Sequence, residues 1–369
     1  MPKLGTKFIA LALVAGSAVY LGSCANQTTS QPPTTAQTAV NNPNRELREV
    51  RFTLSWLLQA VDAPLAMAIE KGYFAEEGIA VRFDRGYGSA DSINKIASGV
   101  YDIGEGDMYS MMEFNQKNPN DKLVAVAIKY NRSPFAIVAL DNAGISSPQQ
   151  LEGKRLAAPA GDAARRLWPV FAQATGVNPD SVTWNNVEPR LREALLVQGE
   201  FDAISCFNIS SLPPLNKLGY GPDRLNTFLY ADHGLDLYGN ALIVRESFAQ
   251  QNPELVRAFV SAYLRGLQDT IRNPDEGLAA VMNLSEDGLM DQTQERERLQ
   301  IALDSLYVSP EVEQNGVGGV DQARLQKTLE QVAEGFGLAQ VPTAEEVFND
   351  SFLPPQEQRA IVRIHAWQI

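Results

Sequence analysis

The sequence predicts an α/β protein built as two similar units with a helical region after them. Three observations carry this. Strand-like apolar runs alternate with helical stretches from residue 51, the pattern restarts near residue 148, and apolar residues recur at near-helical spacing after Pro253.

Element by element, residues 51–56 (RFTLSW) read as a buried first strand, and Pro64 suits the first turn of a helix through Leu65, Ala68, Ile69 and Tyr73. Gly78 is a left-handed stop before a second strand at 79–83. A helix over 91–98 ends at Gly99 and leads to a strand at 101–104. A helix at 110–115 and strands at Leu123–Ile128 and Phe135–Leu140 complete the first unit; the alternation implies βαβ units and a mostly parallel sheet. The second unit opens at Pro148-Gln149-Gln150-Leu151, passes a strand at 155–158 and a Gly161-Asp162 turn, and enters a helix with Leu167, Trp168 and Phe171 on its apolar side. Strands at 182–184 and 201–206 flank a helix near 190–198, and 227–230 and 241–244 are the last strand candidates. Asp321 then caps a helix whose Leu325, Leu329, Val332 and Phe336 share one face.

The 369 residues carry 31 Lys and Arg against 44 Asp and Glu, a net charge of −13, which disfavours nucleic acid because a phosphate backbone would be repelled. With two histidines and two cysteines, a zinc cage or a redox pair is hard to build, so neither metal nor cofactor is expected. No apolar run reaches the length of a permanent membrane span.

Lys3 and Lys7 precede the apolar stretch 8–21, which has the length of a signal-peptide core. It ends in Leu21-Gly22-Ser23-Cys24, which resembles the lipobox of bacterial lipoproteins, in which the cysteine is lipidated and becomes the first mature residue. Residues 1–23 are therefore expected to be a signal peptide, and 24–47 a lipidated Cys24 with a flexible tether rich in Asn, Gln, Thr and Pro. Loss of 1–23 removes two lysines, so the mature charge is 29 − 44 = −15. Cys206 is then left without a disulfide partner.

Asp62-Ala63-Pro64-Leu65 followed by Glu70-Lys71-Gly72-Tyr73-Phe74-Ala75-Glu76-Glu77-Gly78-Ile79 resembles the opening of ABC-transporter solute-binding proteins of the nitrate, sulfonate, taurine and thiamine-precursor group. The likeness continues at 99–104 (GVYDIG), 151–155 (LEGKR), 198–204 (QGEFDAI) and 348–354 (FNDSFLP), in the family's order. The resemblance implies a type II periplasmic-binding-protein fold, two α/β lobes with a ligand cleft between them. Mapped on this chain, lobe one is 48–140 with a return and helical C-terminal region at 241–369, and lobe two is 141–240.

Ligands of open α/β sheets sit beyond the carboxyl ends of strands, and the candidate residues follow from that rule. Trp56 ends the first strand and offers a stacking face, with core burial as the alternative; Gln59 and Asp62 lie in the turn before the helix, where capping is the favoured reading of Asp62 over ligand contact. Gly88 and Ser89 open the next helix, a place that receives an anion or carbonyl, or is a plain turn. Glu105, Asp107 and Tyr109 follow the third strand; the two acids favour a ligand with N–H donors, and one of them, Asp107 first, is a candidate N-cap. Lobe two supplies Gly161 and Asp162, with Phe207 as a second stacking wall and Asn208 for amide recognition; Tyr238 and Asn240 sit where the second crossover passes the cleft. Arg165 and Arg166 could meet an anion, but a solvated helix face is the better reading of both.

The function expected is an extracytoplasmic, lipid-anchored receptor that hands a small solute to the permease of an ABC importer, acting as a monomer and not as an enzyme. The acids and aromatics tilt the ligand towards a nitrogenous planar molecule such as a thiamine-related pyrimidine. An alkanesulfonate, taurine or a small oxyanion is the alternative. A thiamine-pyrimidine synthase, the enzyme among the family's relatives, would need a cysteine-rich motif that is absent here.

Overall fold

A computed structural model describes residues 46–285, 288 and 290–362. The expected signal peptide, Cys24, the tether up to residue 45, and His365 lie outside the described residues. Among the described residues, ten strands form two five-stranded sheets: β1 Arg48–Thr53, β2 Ile79–Asp84, β3 Ile103–Asp107, β4 Leu123–Ile128, β5 Phe135–Leu140, β6 Arg155–Ala157, β7 Thr183–Asn185, β8 Ala203–Phe207, β9 Leu225–Leu229 and β10 Asn240–Arg245. The first sheet has the order β2-β1-β3-β10-β4 and the second β7-β6-β8-β5-β9.

Helices cover the sheets, and the cores are apolar as the strand patterning requires. Val50 and Phe52 of β1 are fully buried, and the Phe52 ring stacks 5.5 Å from Phe259 on the long helix Pro253–Arg272. That helix packs so tightly on Ala63–Glu70 that a β-carbon on Gly266 would lie 2.1 Å from the Pro64 carbonyl oxygen.

Two expectations need correction. The sheets are mixed rather than mostly parallel: β10 runs antiparallel to β3 and β4, and β5 antiparallel to β8 and β9. Both odd strands are entered from the other lobe, so no local right-handed crossover sets their direction. Phe135–Leu140, expected at the end of lobe one, pairs in the second sheet; the chain changes lobe at 129–134. Two fully buried apolar runs of equal length gave the sequence no sign of which sheet each joins.

The two crossing segments, 129–134 and 230–239, are bonded to one another. The Lys129 amide donates to the Asn240 carbonyl (2.8 Å), Gly239 to Tyr130 (2.9 Å) and Ser133 to Leu237 (3.0 Å). A β-carbon on Gly239 would come 2.8 Å from that of Tyr130, so the crossing requires a glycine. Arg324 staples the pair, donating from Nη2 to the Asn131 carbonyl (2.9 Å) and lying 3.9 Å over the Tyr238 ring. Its helix, Gln322–Phe336, also packs on the lobe-two helix Trp168–Thr175, where a β-carbon on Gly335 would meet the Val170 Cα at 2.7 Å.

Candidate functional site

β1 ends at Thr53, so Trp56 stands in the loop beyond its carboxyl end, half-buried at the seam between the lobes. Around it the lobes close on a pocket of about 20 Å³, roughly one water in size. Ser55, Trp56, Gly88 and Ser89 line it from lobe one, and Asp162, Ala163, Arg192, Phe207 and Ser210 from lobe two. Ser89 begins the helix Ser89–Ala97, and its hydroxyl is buried with no partner among the described residues. Ser55 Oγ accepts a bond from Asn240 Nδ2 at 2.8 Å.

Backbone contact seals one side of the pocket. Gly88 has φ of 117°, and a β-carbon there would lie 2.1 Å from the Gly161 carbonyl oxygen. That oxygen accepts from the Ala90 amide at 3.2 Å. On the other side Ser210 Oγ donates to Gln59 Oε1 across the seam (2.9 Å), and Arg298 donates to the Ile209 carbonyl. A groove of about 980 Å³ shares Trp56, Arg192 and Ser210 with the pocket and continues past Gln59, Glu193, Gln294 and Glu295.

Arg192 is fully buried, and its donors are engaged within lobe two. Nε donates to Glu193 (2.9 Å), Nη1 to the Ser205 carbonyl (3.2 Å) and Asp162 (3.4 Å), and Nη2 to Ser211 Oγ (2.7 Å), with Nη2 also in ion-pair contact with Glu193 at 2.8 Å. Burial alone would lower its pKa, but the charges of Glu193 and Asp162 outweigh this and raise it. Asp162 also accepts from Ser205 Oγ (2.7 Å) and caps the short helix behind it through the Arg165 amide (2.8 Å).

Of the residues expected in the cleft, the structure brings Trp56, Gly88, Ser89, Asp162 and Phe207 to the pocket, with Gln59 and Gly161 at its rims. The others sit elsewhere. Asp62 and Glu105 turn inward to the buried Lys129, whose Nζ lies 2.6 Å and 2.7 Å from them, and Tyr263 donates to Glu105 at 2.8 Å. Burial raises the Glu105 pKa despite that ammonium. Glu105 and Asp107 lie within β3 and not after it, because Gly104 lets the strand run on: a β-carbon there would strike Thr53 Cγ2 at 2.5 Å. Asp107 caps the helix Met108–Lys117, accepting from the Tyr109 and Ser110 amides at 3.0 and 2.9 Å.

Tyr109 and Tyr238 belong to the hinge. The Tyr109 hydroxyl donates to Thr328 (2.9 Å) and accepts from the Tyr238 amide (3.1 Å), while Tyr238 OH donates to Glu311 (2.9 Å). Asn208 spends its side-chain oxygen on the Ile209 amide (2.7 Å), and Asn240 touches the pocket lining through Ser55. Arg166 is not a solvated face: it pairs across the lobes with Glu113. Ser55, Ala163, Arg192 and Ser210 were missed by sequence reasoning. Ser55 and Ser210 stand one and two residues from chosen positions, but nothing local marks Arg192 for burial.

Among known proteins, the chain matches the family described as NMT1/THI5 like over residues 59–277. It is 29% identical to the riboflavin-binding protein RibY of Chloroflexus aurantiacus over 91% of this chain and 95% of that one. It is 26% identical to the formylaminopyrimidine-binding protein of Halalkalibacterium halodurans over 85% and 93%. A more distant relative, 22% identical over 62% of this chain and 71% of its own length, is the 4-amino-5-hydroxymethyl-2-methylpyrimidine phosphate synthase of Legionella pneumophila. The solved periplasmic nitrate-binding protein NrtA of Synechocystis PCC 6803 superposes with a TM-score of 0.64 over 83% of this chain and 87% of that one, at 14% identity. This chain belongs to the NMT1/THI5-like family and has the periplasmic-binding-protein fold.

Proposed function

We propose that this protein is the extracytoplasmic receptor of an ABC importer and that its solute is a planar nitrogen heterocycle. The observation that carries the reading is Trp56, held at the lobe seam with the unpartnered Ser89 hydroxyl and with Ser55 and Asp162 around it. An indole face with a few polar groups in a closable cleft suits a flat ring with N–H and carbonyl edges.

The same pocket disfavours a sulfonate or oxyanion. Its lining cation, Arg192, already donates to Glu193, Asp162, Ser205 and Ser211, so an anion would have to displace internal carboxylates. A thiamine-related pyrimidine fits the pocket's chemistry. A flavin presents a similar pyrimidine edge and adds a polar chain, which the groove past Gln59, Gln294 and Glu295 could receive. The riboflavin-binding and formylaminopyrimidine-binding relatives make both worth testing. Anchoring through a lipidated Cys24 and delivery to a permease complete the proposal.

A receptor reading also suits the chemistry of the site better than a synthase. Cys206 is buried and burial pushes its thiol up to about 12, so it is a poor nucleophile at neutral pH. His233 stands edge-on to Phe171, 5.3 Å away, within lobe two.

The test is a thermal-shift screen with riboflavin, formylaminopyrimidine, taurine and nitrate. At a hundredfold excess over Kd a bound ligand adds about 2.7 kcal/mol to stability. A ring compound should raise Tm while taurine and nitrate do not. A response to taurine or nitrate alone overturns the ligand class, and turnover of a pyrimidine precursor would replace the receptor with an enzyme.

A further inference from the structure

The geometry points to Arg192 as the second wall of a ring slot: the solute's aromatic ring enters between the Trp56 indole of lobe one and the flat face of the Arg192 guanidinium of lobe two. This rests on the receptor reading above and gives its site a specificity-determining residue.

The guanidinium carbon of Arg192 lies 5.0 Å from the centre of the Trp56 ring. A guanidinium has five N–H donors, all in its plane. Four hydrogen bonds occupy them here, to Glu193, Asp162, the Ser205 carbonyl and Ser211 Oγ, and Nη2 is also paired with Glu193 at 2.8 Å, all on lobe two. The edge is thereby committed and the plane is fixed in orientation. What is left to face lobe one is the π-face, and Trp56 is what it meets.

Such a group reads ligands differently from an ordinary binding arginine. The edge of a guanidinium grips carboxylates, phosphates and sulfonates; its face stacks on aromatic rings. With Glu193 and Asp162 holding the edge, the slot accepts flat π-systems and its arginine offers an anion no free edge. In the closed molecule the two walls are nearly in contact, and the pocket beside them holds only about 20 Å³. Parting the lobes by about 3.5 Å, one ring thickness, admits a ring that then touches both walls. Closure on a ring replaces one stacked contact by two, which favours the filled slot. A non-aromatic solute would break the Trp56–Arg192 contact and return nothing in its place.

Titration of the purified protein with riboflavin and with formylaminopyrimidine, followed by tryptophan fluorescence, tests the slot. Arg192→Lys keeps the charge and loses the plane; it should weaken binding of whichever ring probe the wild type takes by about tenfold or more. Ser211→Ala removes one anchor of the plane and should cost about threefold, with a cooperative melt retained; it carries the test if Arg192→Lys does not fold. A wild type that binds a ring probe with both folded variants binding it equally overturns the slot and leaves the receptor reading standing. Binding of neither ring probe, or of taurine instead, overturns both.

Discussion

Trp56 sets the first prediction at the scale of single residues. Trp56→Ala should raise the Kd for the ring ligand at least tenfold, read by titration, with the melting temperature of the protein alone little changed because the indole is only half-buried. Ser89→Ala removes the one buried pocket hydroxyl without a partner among the described residues, and should cost about three- to tenfold in affinity. Lys129 predicts the opposite pattern. Lys129→Met leaves Asp62 and Glu105 buried without their cation and should destabilise the fold by about 3–5 kcal/mol in urea unfolding. These residues also show where the sequence was legible. Trp56, Ser89 and Phe207 reach the seam pocket from strand ends and a helix start, which are local signals. Glu105 was misread, and Asp62 only as a cleft residue, because the group that neutralises them stands on another element, 24 and 67 residues away. The capping role expected of Asp62 is present, since its carboxylate accepts from the Gln59 amide at 3.0 Å. Arg192 was invisible for the same reason, since its carboxylate at Asp162 comes from 30 residues earlier.

Elements move as bodies, and the Ser89–Ala97 helix is placed against lobe two by one glycine contact. Gly88→Ala would need a strained backbone at φ 117° and would push its methyl into the Gly161 carbonyl. The lobes should stay parted, with Kd raised about tenfold or more and a larger radius of gyration in solution scattering with ligand present. The helix Met108–Lys117 supplies a second brace, since its Glu113 pairs with Arg166 of lobe two. Burial would raise the Glu113 pKa, but bonds from Lys117 and Arg166 win and lower it. A carboxylate held low stabilises the closed form fully above its ordinary value near about 4.3 and loses that contribution as pH falls through the lowered one. Melting curves should therefore show Glu113→Gln less stable than wild type at pH 7, with the gap closing below about pH 4; a constant gap would deny the ion pair its role. Element types were largely legible from apolar spacing, while the sheet to which β5 belongs was not, because pairing across a crossing leaves no local mark.

For the whole molecule, alternation and restart foretold two α/β lobes, and the family likeness foretold the cleft. Neither foretold how strongly the carboxyl-terminal region ties the lobes together. Phe348 makes a parallel bridge to Ala125 of lobe one. Leu325, Leu329 and Val332 of the Gln322–Phe336 helix share one apolar core with Met108 and Phe171, residues of different lobes. A ribosome releases this chain amino end first, so that core lacks one side until some 350 residues have been made. Contacts spanning two hundred residues form slowly. The shared core can therefore close only after the Gln322–Phe336 helix has been made, which leaves the two lobes unlocked until near the end of synthesis.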